Sequence, residues 1–145
     1  MEDWFIGFVD PESEAFLETV DLRYRELREP LGLDYTDEQI KEDSLQQTMA
    51  LSNGQNIIAV LMLKPINDQQ IKVRQVAVDR DFQGKGLGRR LSEHAEEFAR
   101  NAGYTEVVLH ARKTAVGFYQ KMDYLIDSEE FTEVGIPHHR MKKSL

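Results

Sequence analysis

Gln83-Gly84-Lys85-Gly86-Leu87-Gly88 lies between an apolar, strand-like run ending at Asp79 and an amphipathic stretch that begins at Leu87. Glycine at every second position lets the backbone turn sharply and approach a ligand with no Cβ in the way. The stretch from Leu87 onward has helical periodicity. The loop N–H groups and the positive helix end therefore converge on one point, an arrangement that binds phosphate. The segment predicts a strand–loop–helix unit that holds a phosphate-bearing cofactor.

Two familiar phosphate loops do not fit. A dinucleotide fingerprint starting at Gly84 needs glycine where Arg89 stands, and one starting at Gly86 needs glycine where Leu91 stands. No Gly-Lys-Ser/Thr run exists for a Walker loop. What remains is Gln-x-x-Gly-x-Gly, fixed by Gln83, Gly86 and Gly88.

Upstream, Trp4 to Val9 reads as a first strand. Asp10-Pro11 offers an N-cap and a first-turn proline, and Phe16, Leu17, Val20, Tyr24, Leu27 and Leu31 recur at helical spacing, which predicts a helix over about 11–28. Pro30 and Gly32 end it, and Thr36-Asp37-Glu38-Gln39 can start a short helix. Gln47–Leu51 and Asn56–Leu63 flank Ser52-Asn53-Gly54, a hairpin signal. A turn over Pro65–Gln70 precedes a third strand through Ile71, Val73, Val76 and Val78, which predicts an antiparallel meander.

Downstream, Leu87, Leu91, Ala95, Phe98 and Ala102 form one helical stripe closed by Gly103, and Glu106–His110 reads as a central strand. That strand and the one before the loop should be parallel, with a right-handed crossover. Thr114 caps a short helix to Met122, and Tyr124–Phe131 and Arg140–Leu145 read as the last two strands, joined around Gly135-Ile136-Pro137.

The 145 residues, 41% of them hydrophobic, fit one domain over 1–145 with no internal repeat or linker. No apolar run approaches the roughly 18 residues that cross a bilayer, and Met-Glu-Asp is not a secretory start, so the expectation is a cytoplasmic protein without a membrane partner. Zero cysteines exclude disulfides, thiolate nucleophiles and thiolate-bound zinc. A net charge of −8 argues against nucleic acid as a partner. Residues 71–90 invert the balance: Lys72, Arg74, Arg80, Lys85, Arg89 and Arg90 face only Asp79 and Asp81, which suits an anionic cofactor.

The glycine loop resembles the acetyl-CoA pyrophosphate loop of the GNAT superfamily of N-acetyltransferases, R/Q-x-x-G-x-G/A. Ala115-x-x-Phe118-Tyr119-x-Lys121 looks like that superfamily's second signature, and Glu133-Val134-Gly135-Ile136-Pro137-His138 resembles a segment of one bacterial branch. Asp123 departs from the pattern, standing where glycine is usual at a position that often needs φ > 0, a region Asp enters more readily than most residues. The resemblance implies an α/β (α+β) GNAT fold, with a mixed, mostly antiparallel sheet of six to seven strands flanked by about four helices.

It also implies an acetyl-CoA-dependent acetyltransferase that acts on a small-molecule or peptide amine by direct attack. Backbone groups from Gln83, Gly84, Lys85, Gly86, Leu87, Gly88 and Arg89 would hold the pyrophosphate, with the Gln83 side chain bracing the loop. Val76, Ala77 and Val78 would pair with the pantetheine amides, and the N–H of Val78 or a neighbour would polarise the thioester carbonyl. Tyr119 would be the general acid for the departing thiolate, a phenol near its ordinary pKa of roughly 10. The general base stays open among His110, Glu133, His138 and His139. His138 and His139 are neighbours on a strand and point to opposite faces, so no metal is expected, and His94 reads as a surface residue. A noncatalytic acyl-CoA-binding domain and a nucleotide-binding module are the rival readings; the acceptor and a homodimer by edge pairing both stay open.

Overall fold

In the computed structural model, which describes residues 3–145, the strands hydrogen-bond in the order β1-β2-β3-β4-β5-β8-β6, with β7 on β8. They are β1 (Phe5–Val9), β2 (Gln47–Ser52), β3 (Ile57–Pro65), β4 (Gln70–Val78), β5 (Glu106–Arg112), β6 (Leu125–Ile126), β7 (Phe131–Glu133) and β8 (Ile136–Ser144). The α-helices are α1 (Glu14–Arg23), α2 (Asp37–Asp43), α3 (Leu87–Asn101) and α4 (Val116–Gln120). The chain forms two compact units, one running up to Lys64 together with Gln75–Ala95, the other made of Pro65–Arg74 and Glu96–Leu145.

In the first unit β1 and β2 pair antiparallel, as do β2 and β3. Asn53 shapes the connecting turn by accepting from the N–H groups of Gln55 and Asn56, while Gly54 takes φ 92°. Ile57 to Leu63 are buried without interruption, the mark of a strand covered on both faces. Leu22 of α1 packs into a cluster with Ala50, Ile57, Val60 and Ala77. α1 is shorter than its apolar spacing predicts. Ser13, not Asp10, is its N-cap, accepting from the Phe16 N–H, and Asp10 instead closes a turn with Ser13. The chain widens into a π-turn over Tyr24–Arg28 and stops at Gly32, φ 70°. Thr36 and Gln39 form a reciprocal capping box on α2.

In the second unit β4 and β5 run parallel, with Gln70 to Val73 opposite Glu106 to Leu109, as the strand–loop–helix–strand order predicts. β5 pairs antiparallel with β8 along its whole length, from Glu106↔Ser144 to Arg112↔His138. Eight strands form where six to seven are expected, because the predicted strand 124–131 is split. The Ser128 hydroxyl takes the Arg140 N–H in place of a ladder carbonyl, and the chain leaves β8 between β6 and β7. The last strand begins at Ile136 rather than Arg140, after a two-residue turn in which Val134 (φ 46°) and Gly135 (φ 78°) are both left-handed. Thr114 lies in a short 3₁₀ turn ahead of α4 and does not cap it. Asp123 does adopt the left-handed conformation, φ 72°.

Candidate functional site

The loop in the first unit turns through left-handed glycines at the head of α3. Gly84 and Gly86 sit at φ 81° and 77°, and no atom lies within 4 Å of where a Cβ would stand at either. The first intrahelical bond runs from the Arg90 N–H to the Gly86 carbonyl, so the N–H groups before it are the ones helix geometry leaves without an intrahelical partner. α3 is 15 residues long and carries no acid in its first turn, so its positive end is not offset from within. The Gln83 side chain donates to the Val78 carbonyl at 2.9 Å and ties the loop to the end of β4. Lys85 lies over the Phe82 ring, 5.2 Å from its centroid, and Arg89 pairs with Glu93 at 2.7 Å. Both cations belong to the loop, and the Arg89 charge is already partly matched.

Along β4, the Asp79 N–H donates to the Ile58 carbonyl of β3 at 2.8 Å. Asp79 is therefore committed and drops out as a carbonyl-polarising donor. By the two-residue alternation of a strand, the Ala77 N–H turns toward β3 as well, while the N–H groups of Val76 and Val78 turn away from it. Ala77 is buried in the core cluster.

In the second unit, Tyr119 is buried on α4, with T-shaped contacts to Phe118 at 5.0 Å and Tyr124 at 5.5 Å. Its hydroxyl has no hydrogen-bond partner among the described residues. Burial pushes its pKa well above the ordinary phenol value, so an unperturbed pKa of roughly 10 does not describe it. It is held as a neutral O–H donor. Tyr124 is raised further by burial and by Glu96, whose carboxylate accepts from Tyr124 Oη at 3.1 Å and from Lys143 Nζ at 2.6 Å.

Three of the four candidate bases cluster. His110 Nδ1 lies 2.9 Å from Glu133 Oε1, and His138 Nε2 lies 3.6 Å from Glu133 Oε2. The 2.9 Å contact to a carboxylate matches a proton on Nδ1, so the neutral form of His110 with this contact presents Nε2 as its acceptor. Lys72 Nζ lies 3.5 Å from the same Nδ1, and Phe131 meets both imidazoles, edge-on to His110 and stacked on His138. Partial burial alone would raise the Glu133 pKa. The His110 hydrogen bond and the charges of His110, His138 and Lys72 outweigh it and hold the carboxyl below its ordinary value.

His139 is not part of this group. It stands opposite Ala111, and its Nδ1 is buried without a partner. In the β5–β8 register, Val107 and Lys143 share one face of the sheet with Ala111 and His139, whereas His110, Arg140, Arg112 and His138 share the other. Tyr119, edge-on to Tyr124 beside Lys143, thus lies on the face opposite His110. Among the described residues no three His, Asp or Glu side chains converge as a metal site, and no helix is long and apolar enough to cross a membrane. His94 is exposed on α3. The Glu133 contact to two histidines was not evident in the sequence, since it needs the hairpin register of β7 and β8.

The chain is similar in sequence and fold to known proteins. An acetyltransferase (GNAT) domain matches residues 21–145. A candidate acetyltransferase of Bacillus subtilis strain 168 is 28% identical over 139 residues, covering 90% of this chain and 91% of that protein. Two further Bacillus subtilis relatives are matched over only 50% and 52% of their own length. Among solved structures, a candidate N-acetyltransferase from Lactobacillus plantarum superposes with a TM-score of 0.87 at 26% identity, with 98% of each chain covered. A GNAT family acetyltransferase from Elizabethkingia anophelis with acetyl-CoA bound shares the fold, with a TM-score of 0.78 at 19% identity and 100% of both chains covered.

Proposed function

The chain belongs to the GNAT acetyltransferase family, and from that premise we propose that it transfers an acetyl group from acetyl-CoA to a primary amine by direct attack. Acetyl-CoA supplies an activated thioester. The observation that carries the reading is the loop after β4, where two left-handed glycines open onto the acid-free N-terminus of α3. Backbone N–H groups of Gln83 to Arg89 hold the pyrophosphate. Val76 and Val78 turn their backbone groups away from β3 and toward the pantetheine arm, and the Val78 N–H is the donor to the thioester oxygen.

Tyr119 and His110 divide the proton work. The amine nitrogen bonds to the thioester carbon, and the carbon–sulfur bond breaks with its electron pair going to sulfur. Tyr119 Oη gives its proton to that sulfur. The raised pKa of Tyr119 makes it a weak acid toward a solvated thiolate, but a thiolate generated in the same dry surroundings is destabilised for the same reason. His110 Nε2 takes the proton lost by the amine, and Glu133 fixes the His110 tautomer and supports the imidazolium that forms.

Calorimetry with acetyl-CoA, followed by thiol release over a panel of primary amines, tests the reading. Binding with turnover supports it. Binding without turnover on any amine indicates a noncatalytic acyl-CoA-binding domain, and no binding by folded protein removes the reading. His110→Gln should lower turnover near neutrality and recover as rising pH deprotonates the amine; a uniform loss at all pH values would take His110 out of the base role.

A further inference from the structure

Arg23, the last residue of α1, is fully buried, and its guanidinium is only partly satisfied. Nη1 donates to Asp43 Oδ2 at 3.0 Å and touches Met62 Sδ, while Nε and Nη2 are buried with no acceptor. Two unpaired donors on a buried cation are costly to keep. They also share one edge of the planar group, and that edge is the two-pronged fork that matches a carboxylate.

The surroundings are organised around this edge. Asp43 Oδ2 also accepts from Gln75 Nε2 at 3.0 Å, and Tyr35 Oη donates to Gln75 Oε1 at 2.6 Å. The Tyr35 ring lies under two cations, with Arg23 at 5.2 Å from its centroid and Arg28 at 4.9 Å. Nearby charges on the same helix are matched elsewhere: Arg25 with Asp21 and Asp79, and Glu26 with Arg80. Arg28 makes no ion pair among the described residues; besides the Tyr35 ring its guanidinium meets the Leu27 carbonyl, at 3.5 Å. Two guanidinium groups thus meet the Tyr35 ring, and one of them, Arg23, pairs with Asp43. Gln75 itself is held at φ 51°, a left-handed residue inside β4, and directly precedes Val76, the first residue assigned to the pantetheine arm.

We propose that the Nε–Nη2 edge of Arg23 binds the carboxylate of the acceptor, so that the substrates are amines that carry a carboxylate, such as amino acids. The proposal rests on the acetyl-transfer reading for its substrate role. Tyr35, on the irregular stretch 33–36 between the helices, lies against the Arg23 guanidinium and would have to shift for a carboxylate to enter. Asp43 does not compete for the edge, because it occupies Nη1.

Matched amines that differ only by the carboxylate test this. With acetyl-CoA, lysine should exceed cadaverine, and phenylalanine should exceed phenethylamine, by roughly 10- to 100-fold in kcat/KM, the range of a charge-assisted fork. Arg23→Gln should bring each ratio near one and leave acetyl-CoA affinity unchanged. Equal rates within the wild-type pairs, or ratios that survive in Arg23→Gln, overturn the proposal. Preference for phosphoethanolamine over β-alanine overturns it in favour of a phosphate site.

If Arg23→Gln does not fold, thermal shift on the unaltered protein decides. Lysine without cofactor should raise Tm where cadaverine at the same concentration does not, and equal shifts refute the fork. That readout needs no turnover. A lysine-specific shift in protein that binds no acetyl-CoA would remove the transferase reading and leave the carboxylate site standing.

Discussion

Tyr119→Phe should separate activity from stability. The Tyr119 hydroxyl makes no hydrogen bond among the described residues, so its removal breaks none. The ring keeps its edge contacts with Phe118 and Tyr124. No cavity forms, because the ring is retained. The expected change in folding free energy is within about 0.5 kcal/mol, which for a chain of this size is a Tm shift of about 2 °C or less. Loss of a general acid, in contrast, lowers kcat by about 10²- to 10⁴-fold, or about 2.7 to 5.4 kcal/mol in the barrier. The assay is thiol release under saturating acetyl-CoA, with calorimetry for cofactor affinity and a thermal melt on the same preparation. A variant that is stable, binds acetyl-CoA and barely turns over supports the assignment. Full turnover by the variant refutes it, and parallel loss of stability and rate would assign Tyr119 to packing instead.

Gly86→Ala places an L-residue at φ 77° with no steric neighbour, so strain alone should cost about 1–2 kcal/mol; if the loop holds the pyrophosphate as proposed, acetyl-CoA affinity should fall further, and calorimetry beside a melt separates the two. Asp43→Ala removes a carboxylate from buried Arg23 and should destabilise by about 3–5 kcal/mol, read by chemical denaturation, with Asp43→Asn milder. Glu133 has a lowered folded pKa, so the stability it contributes is present above the ordinary carboxylate range and is lost as pH falls through that lowered value. Subtracting the stability profile of Glu133→Gln from that of the wild type should therefore give a difference that shrinks below about pH 4. Because Glu133 is half exposed, the difference should stay under about 1 kcal/mol, and one that grows on acidification would contradict the assigned sign.

The legible parts of this chain are those that local chemistry decides. The helix start at Thr36-Asp37-Glu38-Gln39, the Asn53-Gly54 turn and the sharp turn through Gly84 and Gly86 form as read, the first by way of a reciprocal capping box. Asp123 takes the backbone conformation that its replacement of glycine demands. The misreadings arise where two local signals compete or where a partner is distant. Asp10 and Ser13 both suit an N-cap, and Asp10 is drawn into the preceding turn. Phe131 to Glu133 is too short to stand out as a strand, yet its pairing with β8 sets Glu133 against His110 and His138. Arg23 carries no sequence signal, since charged residues on amphipathic helices ordinarily face water.

The turn that joins β7 to β8 carries a further implication. A β-branched side chain at positive φ is an outlier, and Val134 at 46° stores an estimated 1–3 kcal/mol of backbone strain next to Glu133. Directed evolution for heat tolerance should find Val134→Gly or Val134→Asn early, because either relaxes the hairpin. Such a winner would be selected blind to chemistry, and the slackened hairpin would let the carboxylate wander from its imidazole. Thermostable descendants of this protein should therefore be screened for an altered pH–rate profile before they are accepted as improvements.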